Sequence, residues 1–306
     1  MDTRRIGSLE VSVVGLGCNN FGGRLDAEGT ASVVDAALDA GINFLDTADI
    51  YGRTKSEEYL GRALGRRRGD IVLATKFGMM VDAERHGARP EYVRQALDDS
   101  LRRLGTDYVD LYLLHRPDDT VPIADTLGAL DDAVKAGKVR EIGCSNFSVD
   151  QLREAEAGGR PGGARFVSVQ NEYSLFQREP EEGVLAECER QGIAFIPYFP
   201  LASGLLTGKY RRGQPMPQGT RLTEGRHSSQ LSDANLAKVE ALIAFAEARG
   251  HTLLELAFSW LLAHDPVVSV IAGATSPEQV RANAGAAGWR LTAEDMAEVD
   301  RIMGGT

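Results

Sequence analysis

The chain has 306 residues, 43% hydrophobic and 25% charged, which is material for a sizeable core. A single α/β barrel takes about 250 residues, so one domain over 1–306 is the starting expectation. The formal charge of -10 opposes general binding to nucleic acid or anionic membranes, which needs clustered Lys and Arg.

Arg4–Val11 reads as a small hairpin that would close the bottom of a barrel. From Val13 onward, short apolar runs alternate with segments of helical periodicity, the pattern of a parallel sheet with crossover helices. The predicted strands are Val13–Gly17, Asn43–Asp46, Ile71–Thr75, Val109–Leu114, Glu141–Cys144, Phe166–Gln170, Ala194–Pro197 and Val268–Ile271. Helices are expected at Thr30–Ala40, Ser56–Leu64, Pro90–Leu104, Ile123–Ala136, Val149–Ala157, Pro180–Gln191, Asn235–Arg249, Leu253–His264, Pro277–Ala286 and Ala293–Ile302. Glycines after the first three mark their ends, and Pro90 opens the third. Eight strand and helix units predict a (β/α)8 TIM barrel. Two helices remain over, Asn235–Arg249 and Ala293–Ile302, expected outside it, and a long loop, 201–231, follows strand 7.

The three cysteines, Cys18, Cys144 and Cys188, lie far apart and form no Cys-x-x-Cys pair, which points away from zinc and from a disulfide framework. No apolar run approaches the about 18 residues of a membrane span, and a cytoplasmic protein is expected. The run Arg66-Arg67-Arg68 reads as a solvated helix end ahead of an anion site. No sustained heptad indicates a partner helix, so the expected state is a monomer.

Chemistry in such barrels is done where the strands end. Here those positions are polar: Asp46, Lys76, His115, Ser145 with Asn146, Gln170 with Asn171, and Tyr198. Singly, Asp46 could cap a loop, Lys76 could reach water, His115 could be a satisfied core histidine and Tyr51 a packing aromatic. Jointly they suit proton transfer, because a Lys and an Asp at the ends of neighbouring buried strands are costly unless paired. A Tyr51 phenol, with an ordinary pKa of about 10, would be made more acidic by the Lys76 ammonium, while Asp46 holds that lysine and His115 orients a substrate oxygen. No residues have metal-ligand spacing or pair a nucleophile with a base.

The segments Asp46-Thr-Ala-Asp-Ile-Tyr51-Gly with Ser56-Glu57, Ala-Thr-Lys76, Leu-Leu-His115-Arg-Pro-Asp, Gly143-Cys-Ser-Asn146-Phe, Gln170-Asn-Glu-Tyr, Pro197 to Lys209 and Ile271 to Asn283 together resemble the aldo-keto reductase family. That resemblance covers Gly7 to about Asn283. It implies an NADPH-dependent carbonyl reductase without a Rossmann domain, with a catalytic tetrad of Asp46, Tyr51, Lys76 and His115. It further implies that Ser145, Asn146 and Gln170 hold the nicotinamide carboxamide and that Tyr198 stacks on the ring. Phe199, Pro200, Leu201, Ser203, Gly204, Leu205 and Lys209 would follow the pyrophosphate. The family also contains potassium-channel β subunits, which makes a cofactor-binding regulatory subunit the alternative reading.

Two details qualify the cofactor. Gly15-Leu-Gly17-Cys-Asn-Asn20 lacks the third glycine and the helix of a dinucleotide fingerprint and reads as a tight strand-to-loop turn. Where family members with strong NADPH preference carry a Lys and an Arg, this chain has Gly273 and Gln279. Recognition of the 2′-phosphate would then fall to Thr275, Ser276, Gln279, Asn283, backbone N–H groups or Arg281. The expected substrate wall is Asn20, Phe21, Phe77, Met79 and Met80, with part of 201–231 as a lid, suiting a small-molecule carbonyl compound.

Overall fold

The structure, a computed structural model, describes residues 1–223 and 228–304. A two-stranded antiparallel hairpin, β1 (Thr3–Ile6) and β2 (Leu9–Ser12), precedes the barrel. Eight parallel strands follow: β3 (Val14–Gly17), β4 (Phe44–Asp46), β5 (Val72–Phe77), β6 (Val109–Leu114), β7 (Val139–Ser145), β8 (Phe166–Glu172), β9 (Ala194–Tyr198) and β10 (Val270–Gly273). Their order is β10-β3-β4-β5-β6-β7-β8-β9. The ring closes between β9 and the approach to β10, where Phe195 N–H donates to Pro266 O at 2.7 Å and Val268 N–H donates to Phe195 O at 3.1 Å. This is a (β/α)8 barrel.

Helices α1 (Ala27–Asp39), α2 (Lys55–Leu64), α3 (Pro90–Leu104), α4 (Ile123–Lys135), α5 (Val149–Gly158), α6 (Val184–Gln191), α7 (Asp233–Glu247), α8 (Leu253–Leu262), α9 (Pro277–Gly285) and α10 (Ala293–Met303) surround it. The two surplus helices are α7 and α10, which pack on each other. Lys238 donates to Met303 O at 2.7 Å and Arg249 to Asp295 at 2.7 Å. The segment predicted as one helix from Pro180 is instead a 3-10 turn, Glu179–Glu182, and then α6. Gly183, at φ 154, breaks it.

The core has two layers. The inner one fills the barrel with Phe44, Ala74, Leu111, Leu113, Ile196 and Ile271, plugged from below by Ile6, Leu9 and Val11 of the hairpin. Arg4 fastens that plug by donating to the carbonyls of Val267 and Leu262. The outer layer lies between strands and helices. Gly15 and Gly17 lie in β3, within the predicted strand, and the strand passes into a turn directly after them, where Phe21 N–H donates to Cys18 O at 3.1 Å. A Cβ on Gly15 would come within 2.9 Å of the Phe44 ring and 2.8 Å of Ile271, so the glycine makes room for inner-layer side chains.

In the segment 201–231, Tyr210 and Leu222 are fully buried, and Arg211 forms a two-pronged ion pair with Glu240. Residues 224–227 of the expected lid lie outside the described residues. The arginine run lies in a 3-10 turn in which Arg67 pairs with Asp35 and Arg68 with buried Asp110, while Arg66 is exposed. Cys18, Cys144 and Cys188 are free and buried. Among the described residues no helix is long and apolar enough to cross a membrane, and no cluster of metal-ligating side chains occurs.

Candidate active site

Side chains alternate along a strand, so the position two residues beyond an inward apolar side chain also faces inward, one layer higher. Phe44 is followed by Asp46, Ala74 by Lys76, Leu113 by His115, Gly143 by Ser145, Ser168 by Gln170 and Ile196 by Tyr198. The barrel thus gathers the predicted polar residues into one layer at the C-terminal mouth. Loop backbones tie the layer together: Asp49 N–H donates to Lys76 O, His115 N–H to Phe77 O and Asn146 N–H to Gln170 O.

Lys76 is fully buried. Its Nζ donates to Asp46 Oδ2 at 2.6 Å and to Thr47 O at 2.8 Å. Gln170 Nε2 donates to the other carboxylate oxygen of Asp46 at 3.0 Å. Burial works against the Lys76 charge, yet the Asp46 carboxylate and the nearby Tyr51 phenol more than offset it, so its pKa lies above the ordinary value. Partly buried Tyr51 stands with its ring centroid 5.1 Å from Lys76 Nζ and 5.8 Å from that of His115, edge-on at 81°. Burial raises the Tyr51 pKa, and the Lys76 ammonium only partly reverses this. The expectation that Lys76 would lower it below 10 is therefore corrected, because desolvation of the phenolate outweighs the attraction. Tyr51 carries its proton at neutral pH. His115 is held well below its ordinary pKa by burial first and then by the positive charges of Lys76 and Arg116. The layer therefore presents a protonated phenol and a neutral imidazole beside a charged ammonium, which suits giving a hydrogen bond and a proton to one oxygen.

The loop bearing Tyr51 turns back through three left-handed residues, Gly52 at φ 57, Arg53 at φ 56 and Thr54 at φ 74. A Cβ on Gly52 would lie 2.3 Å from Phe21 O, so only glycine fits there. Ser56 Oγ donates to Cys18 O at 2.9 Å and clamps the loop to β3. Behind it, Glu57 accepts from Thr75 Oγ1 at 2.6 Å and from Arg103 Nε at 2.6 Å. Ser56-Glu57 belongs to the motif around Tyr51, but its residue types alone do not assign this work. The signal was a Ser-Glu pair opening a helix directly after the tyrosine.

Asp49, 1% exposed, has no hydrogen-bond partner for either carboxylate oxygen among the described residues. Burial, reinforced by Glu57, raises its pKa from 3.8 to about 7. The folded state thus holds this proton more tightly than the unfolded state. Its contribution favours folding at low pH and is lost as pH rises from about 4 to about 7, by up to roughly 4 kcal/mol in all. Asp49→Asn should therefore gain stability over the wild type at pH 8 but little at pH 4.5. Urea denaturation at the two pH values checks this, and a difference independent of pH would contradict it.

The residues expected on the cofactor side are linked in part. Ser145 Oγ donates to Gln170 O at 2.6 Å. Asn146, left-handed at φ 62, donates to His115 O at 2.9 Å and accepts from the Tyr198 hydroxyl at 2.7 Å. Half-buried Tyr198 is thereby fixed in orientation. Phe199, Ala202 and Ser203 are also left-handed, at φ 50, 46 and 56, a conformation that costs non-glycine residues energy and clusters at functional sites. Pro200 to Leu205 carry this bend, and exposed Lys209 brings its Nζ within 3.4 Å of a Cβ placed on Gly204. Arg221 was not singled out from the sequence, where a Gly- and Pro-rich loop gives an arginine no pattern. It donates to Asn20 Oδ1 at 3.0 Å and its guanidinium lies 5.7 Å from the Phe199 ring centroid. Beyond β10, Thr275 donates from both N–H and hydroxyl to Gln279 Oε1, while Ser276 caps α9 and Asn283 is buried within it. Gly273 faces Asn19 and Asn20. An open cationic bend beside an oriented aromatic fits a nicotinamide dinucleotide.

The expected substrate wall is brought together only in part. Met80 is exposed and Met79 half-buried, while Phe21 and Phe77 are fully buried in the outer core layer, Phe77 stacked on Tyr112 at 4.7 Å. Asn20, 5% exposed, donates to Ala274 O at 3.1 Å and so joins the β10 side.

Comparison with known proteins agrees with this architecture. The family model described as Aldo/keto reductase family matches residues 13–303. The NADP(+) aldo-keto reductase yakc of Schizosaccharomyces pombe is 36% identical over 97% of this chain and 90% of that protein. Aldo-keto reductase YhdN of Bacillus subtilis is 34% identical over 97% of this chain and 92% of its own length. Among solved structures, a glycerol dehydrogenase from Gluconobacter oxydans superposes with a TM-score of 0.86 at 32% identity, covering 99% of this chain and 95% of that one.

Proposed function

The chain belongs to the aldo-keto reductase family, whose members are generally NADP-dependent oxidoreductases, and on that premise we propose that it reduces an aldehyde or ketone to the alcohol with NADPH, Tyr51 giving the proton. The observation that carries this reading is the fully buried Lys76–Asp46 pair at 2.6 Å, set beside a protonated Tyr51 and a neutral His115 at the barrel mouth.

In this reading NADPH, when bound, supplies the hydride for the carbonyl carbon. Ser145, Asn146 and Gln170 would hold its carboxamide and Tyr198 would support the ring. The bend from Phe199 to Leu205, with Lys209 and Arg221, would take the pyrophosphate. The carbonyl oxygen would accept from Tyr51 and His115. As negative charge builds on that oxygen, the Tyr51 proton moves onto it, and Lys76, held by Asp46 and Thr47 O, stabilises the phenolate left behind. Neutral His115 can donate one N–H without adding a second positive charge beside Lys76.

The preference for NADPH over NADH would rest on Thr275, Ser276, Gln279, Asn283, Gly273 and the start of α9. Arg281, which pairs loosely with Glu278 at 3.6 Å, is the cation on that helix. Fluorescence titration should give NADPH binding about tenfold tighter than NADH or better, the scale of charge-assisted hydrogen bonds to a phosphate. NADH binding as tight as NADPH would overturn that preference. Consumption of NADPH with a panel of aldehydes and ketones tests the activity itself.

A further inference from the structure

Most arginines on the flanks of the barrel are matched. Arg67 pairs with Asp35, Arg94 with Asp132, Arg102 with Asp99 and Arg153 with Glu187. With 44 Asp and Glu against 34 Lys and Arg, a surface arginine without a carboxylate goes against the average of the molecule. Around the mouth the pattern reverses. Arg24, Arg53, Arg116, Lys209 and Arg221 have no carboxylate partner among the described residues.

Lys209 and Arg221 border the bend that the proposed function assigns to the cofactor, and the charge of Arg24 acts on Arg221. Arg116 lies on the loop after β6, and the cofactor reading gives it nothing to do. Arg116 directly follows His115, whose carbonyl is held by Asn146 at 2.9 Å, and its side chain is exposed. Its charge acts on His115 and, opposing the stronger influence of the Glu172 carboxylate, on Tyr198, so the guanidinium lies within range of both, and among the described residues no ion pair joins it to Glu172. The carboxylate two residues further on is turned away from it: Asp118 accepts from Ala88 N–H at 2.8 Å and from the Thr120 hydroxyl at 2.6 Å. On the neighbouring loop, Asp82 is taken by Arg85 at 2.6 Å.

An unmatched guanidinium next to the carbonyl-binding pair, in an acidic protein, is a means of selecting one charge class of substrate. We propose that the carbonyl compound reduced here carries an anionic group, a carboxylate or a phosphate, and that Arg116 binds it. This deepens the reductase reading and rests on it. A planar guanidinium can take either anion with two parallel hydrogen bonds, and the mouth's partial exposure makes the attraction sensitive to salt.

The test compares matched pairs, 4-carboxybenzaldehyde against benzaldehyde and glyceraldehyde 3-phosphate against glyceraldehyde, with NADPH, for wild type, Arg116→Gln and Arg116→Lys. The wild type should favour an anionic member. Arg116→Gln should lower the anionic-to-neutral ratio of kcat/KM by about tenfold, through KM and not kcat, and Arg116→Lys should recover part of it. Added salt should erode the wild-type ratio and leave that of Arg116→Gln unmoved. The pair that responds identifies carboxylate or phosphate. A ratio equal in wild type and Arg116→Gln, with neutral aldehydes still reduced, overturns this inference and leaves the reductase reading intact. If no aldehyde is reduced, calorimetric binding of 4-(hydroxymethyl)benzoate to the NADP complex decides the inference by itself. Weaker binding to Arg116→Gln supports it, and equal or no binding rejects it.

Discussion

Lys76→Met is expected to destabilise the protein by about 3–5 kcal/mol and to abolish turnover, the size of effect seen when one partner of a buried ion pair is removed. Asp46 is 2% exposed, and after the change its carboxylate would keep Gln170 Nε2 as its side-chain donor at 3.0 Å while losing the 2.6 Å ammonium contact. The double variant Asp46→Asn with Lys76→Met removes the stranded charge. It should regain most of the stability and none of the activity, which separates the structural work of the pair from its chemical work. Urea denaturation and turnover on the same samples provide both readings. A Lys76→Met variant as stable as the wild type would mean that the pair is not buried and ionised as described.

Tyr51→Phe should leave the fold and NADPH affinity unchanged and lower kcat by about two to four orders of magnitude, the usual contribution of a positioned acid. The phenylalanine keeps the ring packed edge-on to His115 and removes only the donor. Because burial holds the Tyr51 pKa above its ordinary value, the wild-type reduction rate should stay level through neutral pH and fall only in strongly alkaline solution, where the phenol loses its proton. The variant should lack that alkaline limb. A wild-type rate that already falls between pH 6 and 8 would point to a different proton donor.

Much of this architecture could be read in the chain. Strand and helix units repeat because each parallel strand needs a crossover helix, and the polar residue capping six of the eight strands is the top inward position of a period-two pattern. The same parity argues against Phe77 as a wall residue: it follows inward Lys76 and so points outward into the helix layer, where it stacks on Tyr112. Gly15 sits in β3 as the predicted strand Val13–Gly17 has it, but glycine serves turns and close packing alike. Only the positions of Phe44 and Ile271 distinguish the two. Gly183 inside a helical pattern was the sole local sign of the break before α6. Arg221 and the Asp49 environment depend on contacts between segments far apart in the chain, Asn20 with Arg221 in one case and Glu57 with Arg103 in the other, and no local pattern encodes them.

Hydride transfer to a carbonyl carbon is read out by supplying NADPH deuterated at the transferring position of the nicotinamide together with an aldehyde, followed by mass analysis of the alcohol. One deuterium is expected on the carbinol carbon and none exchanged into solvent, with NADPH consumed in equal amount. Tight NADPH binding without any deuterated alcohol from a broad set of aldehydes and ketones would contradict it.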